Sequence, residues 1–154
     1  MTHRSQLEQK GDTVVLVGCV KQKLARAVPA EQLYTSALFR KRARFAQMFG
    51  REWLILSALH GVIDPQHTTA PYDMTLKDMK KPERQLWAER VFQQVMPHLP
   101  AGSRVILLAG AKYSEFLGPK LQQAGFVIEN PLANCCGLGT QQNWLAQAVD
   151  QQDW

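Results

Sequence analysis

The amino-acid sequence predicts a three-layer α/β domain built on a mostly parallel sheet flanked by helices. Three observations predict it. Several short apolar runs are continuous rather than alternating, rich in β-branched residues, and bounded by glycine or small residues. Continuous runs of that kind mark strands covered on both faces. Helical patterns separate them, as parallel crossovers require. The chain of 154 residues is also long enough for one domain with its own core.

In order along the chain, residues 13–18 (TVVLVG), 52–58 (EWLILSA) and 104–110 (RVILLAG) read as buried strands, and 126–129 (FVIE) as a shorter fourth. Between the first two, residues 30–49 form one helical pattern, with Leu38, Phe45 and Phe49 on an apolar stripe and Arg40, Arg44 and Gln47 on another. Gly50 stops it. Pro82 opens the next helix as a first-turn residue, followed by Trp87, Val91 and Val95 at spacing four. Tyr113, Phe116, Leu117, Leu121 and Ala124 mark another, which Gly125 closes and which Gly118-Pro119 is expected to kink or break. Thr140 is placed to cap a last helix carrying Trp144, Leu145 and Ala148. Residues 60–81 show no periodicity, and a connection that long in a small domain points to function or disorder. Residues 1–12 are expected to form a flexible N-terminal segment, and residues 13–150 a single α/β domain.

Composition narrows the functional classes. Apolar residues make up 45% and charged residues 20%, which is ordinary for a globular fold. No apolar run approaches the ~20 residues of a membrane-spanning helix, and no membrane partner is expected. The polar N-terminus lacks a secretion signal, which points to the cytoplasm. Three cysteines, two of them the neighbours Cys135 and Cys136, argue against a disulfide framework. C-x-x-C spacing is absent, and neither a metal nor a cofactor is expected. The formal charge of +5 is concentrated around Lys21, Lys23 and Arg26 and again around Arg40, Lys41, Arg42, Arg44 and Arg51. That balance suits a phosphate-bearing partner, nucleic acid or nucleotide, or else a solvated basic face.

Ligands of open parallel sheets bind outside the carboxyl ends of the strands. Here those ends carry Gly18-Cys19-Val20-Lys21-Gln22-Lys23, then Ser57-Ala58-Leu59-His60-Gly61, then Ala109-Gly110-Ala111-Lys112-Tyr113. Cys19, near two lysines, is a candidate nucleophile or a packed thiol. Lys21 and Lys23 suit an anionic group or simply solvent. His60 suits acid–base work or a structural hydrogen bond. Asp64 and Asp73 can orient such a histidine, act as base, or cap turns. Tyr72 and Tyr113 offer surfaces for stacking a base or for filling the core. Ser57 has no G-x-S-x-G context. Neither G-x-x-x-x-G-K-[ST] nor a strand followed by G-x-G-x-x-G occurs, so ATPase and dinucleotide readings lose their support. Gly137-Leu138-Gly139-Thr140, before the last helix, is either an anion site or a turn and cap.

The series VGCVKQK, PAEQLYTSALFRKR, WLILSALHGVIDP, APYDMTL, LLAGAKYSEFL and PLANCCGLGTQQNWL resembles a bacterial and phage domain family of unknown function over nearly the whole chain. The LSALHGVIDP…PYDMTL portion is similar to the YaaA peroxide-stress proteins. The stretch from Cys19–Lys21 to Tyr34–Ser36 is more distantly similar to archaeosine synthase, which modifies a deazaguanine base in tRNA. The resemblance implies an association with nucleic acid or its bases. It singles out Cys19, Lys21, Leu33, Tyr34, Ser36, Ser57, Gly61, Pro71, Tyr72, Asp73, Gly110 and Tyr113. Cys135 and Cys136 stand where small residues are expected, which argues against a cluster on all three thiols.

Two functional expectations follow. One is an enzyme acting on a nucleobase or nucleotide, with Cys19, His60 and Asp73 catalytic. Lys21, Lys23, Tyr34, Ser36, Ser57, Tyr72, Gly110 and Tyr113 would then bind substrate, while Arg40, Lys41 and Arg44 hold nucleic-acid phosphates. The other is a non-catalytic nucleic-acid-binding, stress-protection protein that uses the same basic surface.

Overall fold

In the computed structural model, residues 11–20, 23–135 and 137–154 are described. Lys21 and Cys136 lie outside the described residues, as does most of the N-terminal segment.

Seven strands and five helices are present among the described residues. They are β1 (Thr13–Gly18), β2 (Val28–Pro29), α1 (Ala30–Leu33), α2 (Ala37–Phe49), β3 (Glu52–Ser57), β4 (Gly61–Ile63), β5 (Thr68–Thr69), α3 (Lys81–Val95), β6 (Arg104–Leu108), α4 (Ala111–Gln123), β7 (Val127–Glu129) and α5 (Gly137–Gln151). The main sheet has the order β4-β3-β1-β6-β7. β3, β1, β6 and β7 run parallel, while the edge strand β4 is antiparallel to β3. β2 and β5 form a small antiparallel pair beside it.

The continuous apolar runs are explained by two cores. Successive side chains of a strand point to opposite faces. Val15, Val17, Ile55, Ile106 and Leu108 therefore pack under Phe39, Phe45 and Phe49 of α2 and Leu145 and Val149 of α5. Val14, Leu16, Leu54, Leu56, Val105 and Leu107 meet Trp87, Val91 and Val95 of α3 and Leu117 and Leu121 of α4. The expected three-layer architecture is present, with α2 and α5 on one face and α3 and α4 on the other. None of the helices formed by the described residues is long and apolar enough to cross a membrane.

Four local expectations are corrected. The 30–49 pattern is not one helix. It breaks at Tyr34, which is extended at φ −88° and ψ 123°, and α2 restarts after Ser36, whose hydroxyl accepts from the Phe39 N–H at 3.1 Å. A serine side chain satisfying an otherwise orphaned amide is a strong helix-start signal. α4 runs unbroken through Gly118-Pro119, because Leu117 and Leu121 on either side are fully buried and hold it to the sheet. α5 begins at Gly137, so Thr140 lies within its first turn rather than before it. Residues 60–81 are not featureless: they contain β4, β5 and a 3-10 turn at Leu76–Asp78.

The carboxy-terminal residues also pack. Trp154 meets Phe45 and Trp144 edge-on, and the Arg104 guanidinium sits 4.4 Å from its ring centre. Arg104 is in turn bonded through two nitrogens to Glu129 at 2.7 Å.

Candidate functional site

The strand order reverses direction between β1 and β6, since the chain leaves β1 for β3 on one side and later returns to β6 on the other. A crevice at such a switch point is where α/β sheets bind ligands. Cys19 and Tyr113 occupy this position. Cys19 continues the β1 ladder, its N–H donating to the Leu56 carbonyl at 3.0 Å. Tyr113 stands in the first turn of α4, its N–H bonded to the Gly110 carbonyl at 3.0 Å. Their Sγ and Oη atoms lie 3.3 Å apart.

Around this pair the structure gathers every tyrosine of the chain, which has three. The helix break at Tyr34 and the loop after β5 bring Tyr34 and Tyr72 together, Oη to Oη, at 2.6 Å. Ser57, fully buried at the end of β3, donates to Tyr72 Oη at 2.6 Å and accepts from the His60 N–H at 3.2 Å. Tyr72 donates onward to Cys19 Sγ at 3.6 Å. Tyr72 has one O–H, which it directs to the sulfur, so the phenol oxygen accepts from both Ser57 and Tyr34. The Tyr113 hydroxyl reaches the same sulfur at 3.3 Å, so two phenols contact Cys19 Sγ. Trp87 braces the floor: its indole N–H donates to the Ser57 carbonyl at 2.9 Å and its ring packs edge-on against Tyr113.

Burial, followed by the nearby Cys19 charge, pushes all three phenols well above their ordinary value, so they are neutral donors at physiological pH. The Lys23 ammonium lies 4.5 Å from the Tyr72 ring centre and 5.7 Å from that of Tyr34. The His60 ring stands edge-on to Tyr72 at 5.3 Å. Partial desolvation, then Arg90 and His67, lowers the His60 pKa, which leaves the imidazole neutral at pH 7.

Cys19, Lys23, Tyr34, Ser57, His60, Tyr72 and Tyr113 are thus brought together. The other expected residues stand apart. Ser36 caps α2, and Gly110 is the residue from which α4 starts. Asp73 is exposed and has no bond to the tyrosine cluster, and Asp64 accepts from the Gln66 N–H in a turn. Arg40 and Arg44 are exposed one turn apart on α2, and Lys41 donates to Gln142 at 3.2 Å. A groove of about 660 Å³ between α3 and α4, lined by Leu86, Glu89, Phe116 and Lys120 among others, contains none of these residues. Among the described residues, no three His, Cys, Asp or Glu side chains gather as metal ligands would.

Sequence reasoning passed over Arg42 as one member of a basic run. It is 4% exposed and donates to the Gly18 carbonyl at 3.1 Å, directly beneath the Cys19 turn. Its spacing was a usable signal, because Leu38, Arg42, Phe45 and Phe49 share one helical stripe.

A doubly covered parallel sheet with a thiol and its phenol donors at the switch point defines an α/β protein with a preformed polar site at its carboxyl edge. The chain belongs to the family of unknown function DUF6884, whose pattern matches residues 14–147 and so spans every residue of that site. It is also similar to the uncharacterized protein YfjM of Bacillus subtilis (strain 168), with 28% identity over 150 residues, covering 89% of this chain and 95% of that protein.

Proposed function

We propose that this chain acts on a nucleobase or nucleotide, as a nucleic-acid-associated enzyme of base modification, transfer or glycosidic cleavage. The observation that carries the reading is the gathering of all three tyrosines at the sheet's switch point, Tyr113 and Tyr72 on the Cys19 sulfur and Tyr34 on Tyr72. Aromatic faces stack bases without regard to sequence. The face of Tyr72 now covered by the Lys23 ammonium is the one a base would take, with the ammonium moving to its phosphate. Cys19 then contacts the reacting atom, and neutral His60, against the Tyr72 ring, handles a proton. A base within a duplex has to be flipped out to reach this edge. The similarity of the sequence to the YaaA proteins and archaeosine synthase supports the same substrate class.

The test compares nucleosides from the DNA and tRNA of cells that express the wild-type chain, Cys19→Ser or Tyr72→Phe, by mass spectrometry. A nucleoside whose level changes only with the wild type is expected. Identical profiles for all three chains in both nucleic acids overturn the reading.

The exposed Arg40 and Arg44 favour a second reading, in which the chain binds nucleic acid without chemistry. Its affinity would fall steeply with salt. Loss of cellular function in Arg40→Glu with Arg44→Glu, alongside intact function in Cys19→Ser, His60→Ala and Asp73→Asn, decides for it.

A further inference from the structure

Arg42 is a buried cation with no carboxylate partner among the described residues; the groups that favour its charge are Cys19 and Tyr113. Removing a guanidinium from water is costly unless a carboxylate or a full set of acceptors receives it. Here one terminal nitrogen donates to the Gly18 carbonyl and the other to the Gln141 side-chain carbonyl at 3.2 Å. Nε is buried with no partner, and among the described residues no carboxylate pairs with Arg42. The preceding residue repeats the arrangement, with Lys41 donating to Gln142. Two consecutive cations of α2 therefore face two consecutive neutral amides of α5.

The helix they face adds to the imbalance. α5 is 15 residues long and has no acidic residue in its first turn, so the positive end of its dipole is also uncompensated. Helical side chains lean toward the amino end, which places Gln141 over that first turn. A Cβ built on Gly137 or Gly139 meets nothing within 4 Å, so there is open space beside the same turn. Burial lowers the Arg42 pKa only to about 10, and the group stays charged at neutral pH.

We propose that Arg42, with the first turn of α5, is a receptor for a phosphate group of the ligand, adjoining the Cys19 site. The free Nε–H and an Nη2–H lie on one edge of the guanidinium and form a fork for two oxygens. Gln141 holds half of that edge and swings aside when phosphate arrives. The assignment rests on the carboxyl edge being a nucleotide or nucleic-acid site, and it gives Gly137-Leu138-Gly139-Thr140 a role in that site.

The test is thermal unfolding in inorganic phosphate against potassium chloride of equal ionic strength. Phosphate at a hundredfold excess over its Kd is expected to raise the melting temperature by about 5 °C or more beyond the chloride control. Gln141→Glu supplies an internal carboxylate, so it is expected to melt higher than the wild type without ligand and to lose the phosphate response. Arg42→Met loses the same response by removing the fork. A wild-type shift no larger than that in chloride overturns the proposal, as does a response retained in either folded variant. Competition by a nucleoside monophosphate and by a single-stranded oligonucleotide then distinguishes a free nucleotide from a nucleic acid. Unchanged nucleoside profiles with an Arg42-dependent phosphate shift would remove the enzymatic reading alone.

Discussion

The hydroxyl of Ser57 donates to the phenol oxygen of Tyr72 at 2.6 Å and thereby ties the end of β3 to the loop that follows β5. Ser57 is fully buried and also accepts from the His60 N–H, so its hydroxyl serves two partners at once. Ser57→Ala is expected to cost about 0.5–1.5 kcal/mol by removing two part-buried hydrogen bonds. That lowers the melting temperature by roughly 2–4 °C per kcal/mol for a chain of this size. A variant that melts with the wild type would show that the link between β3 and the loop is not formed in solution.

The tyrosines make the site readable by light. Because the chain has only these three, its phenolate absorbance reports nothing else. Their folded pKa values are raised above the unfolded value of 10.0. Between those values the unfolded chain has released protons that the folded chain retains, so the phenols' contribution to stability is fully present below pH 10 and is lost as pH rises beyond it. Phenolate is expected to appear in one steep step that coincides with loss of circular dichroism. Ordinary titration of the three phenols in a chain that remains folded would contradict the burial of the cluster.

How much of this was legible in the sequence depends on distance along the chain. The strands were readable because a strand covered on both faces does not alternate between apolar and polar, as in TVVLVG, where every residue is buried. Candidates next to strand ends, such as Cys19, Ser57 and Tyr113, followed from those strands. The Tyr34 break was hidden because the helical stripe continues on both sides of it, and only the Ser36 cap marks the restart. That Tyr72 rather than Asp73 enters the cluster depends on how a long loop folds back onto β3, which no local pattern encodes. Arg42 shows a reading that was available: a charge at a core position of an amphipathic helix signals a special environment.

On the acid side His60 contributes in the opposite sense. Its folded pKa lies below the ordinary value of 6.5, first through desolvation and then through Arg90 and His67. The unfolded chain therefore takes up a proton that the folded one resists, and stability present above pH 6.5 declines as pH falls from there toward the folded value. The residue is exposed, so the effect is smaller than that of the phenols. His60→Gln is expected to flatten this part of a plot of melting temperature against pH. An unchanged slope would assign the acid sensitivity to other groups.

Gly18 tests whether the switch point must be closed for the site to exist. A Cβ at this position would stand 2.7 Å from the Ala109 Cβ and 3.0 Å from its Cα, closer than side chains approach without movement. The obstruction is backbone and a methyl group at the end of β6, neither of which can rotate away. Gly18→Ala must therefore spread β1 from β6 at their carboxyl ends, at a cost typical of overpacking, about 1–3 kcal/mol. The same movement displaces the carbonyl that receives Arg42 and carries Cys19 away from Tyr113. Gly18→Ala with Tyr113→Phe should then destabilise by less than the sum of the two single changes, because the first has already weakened the contact that the second removes. Additive losses in thermal unfolding would mean that β1 accommodates the methyl group without opening the crevice, and that the sulfur–phenol contact does not depend on how closely the two strands approach.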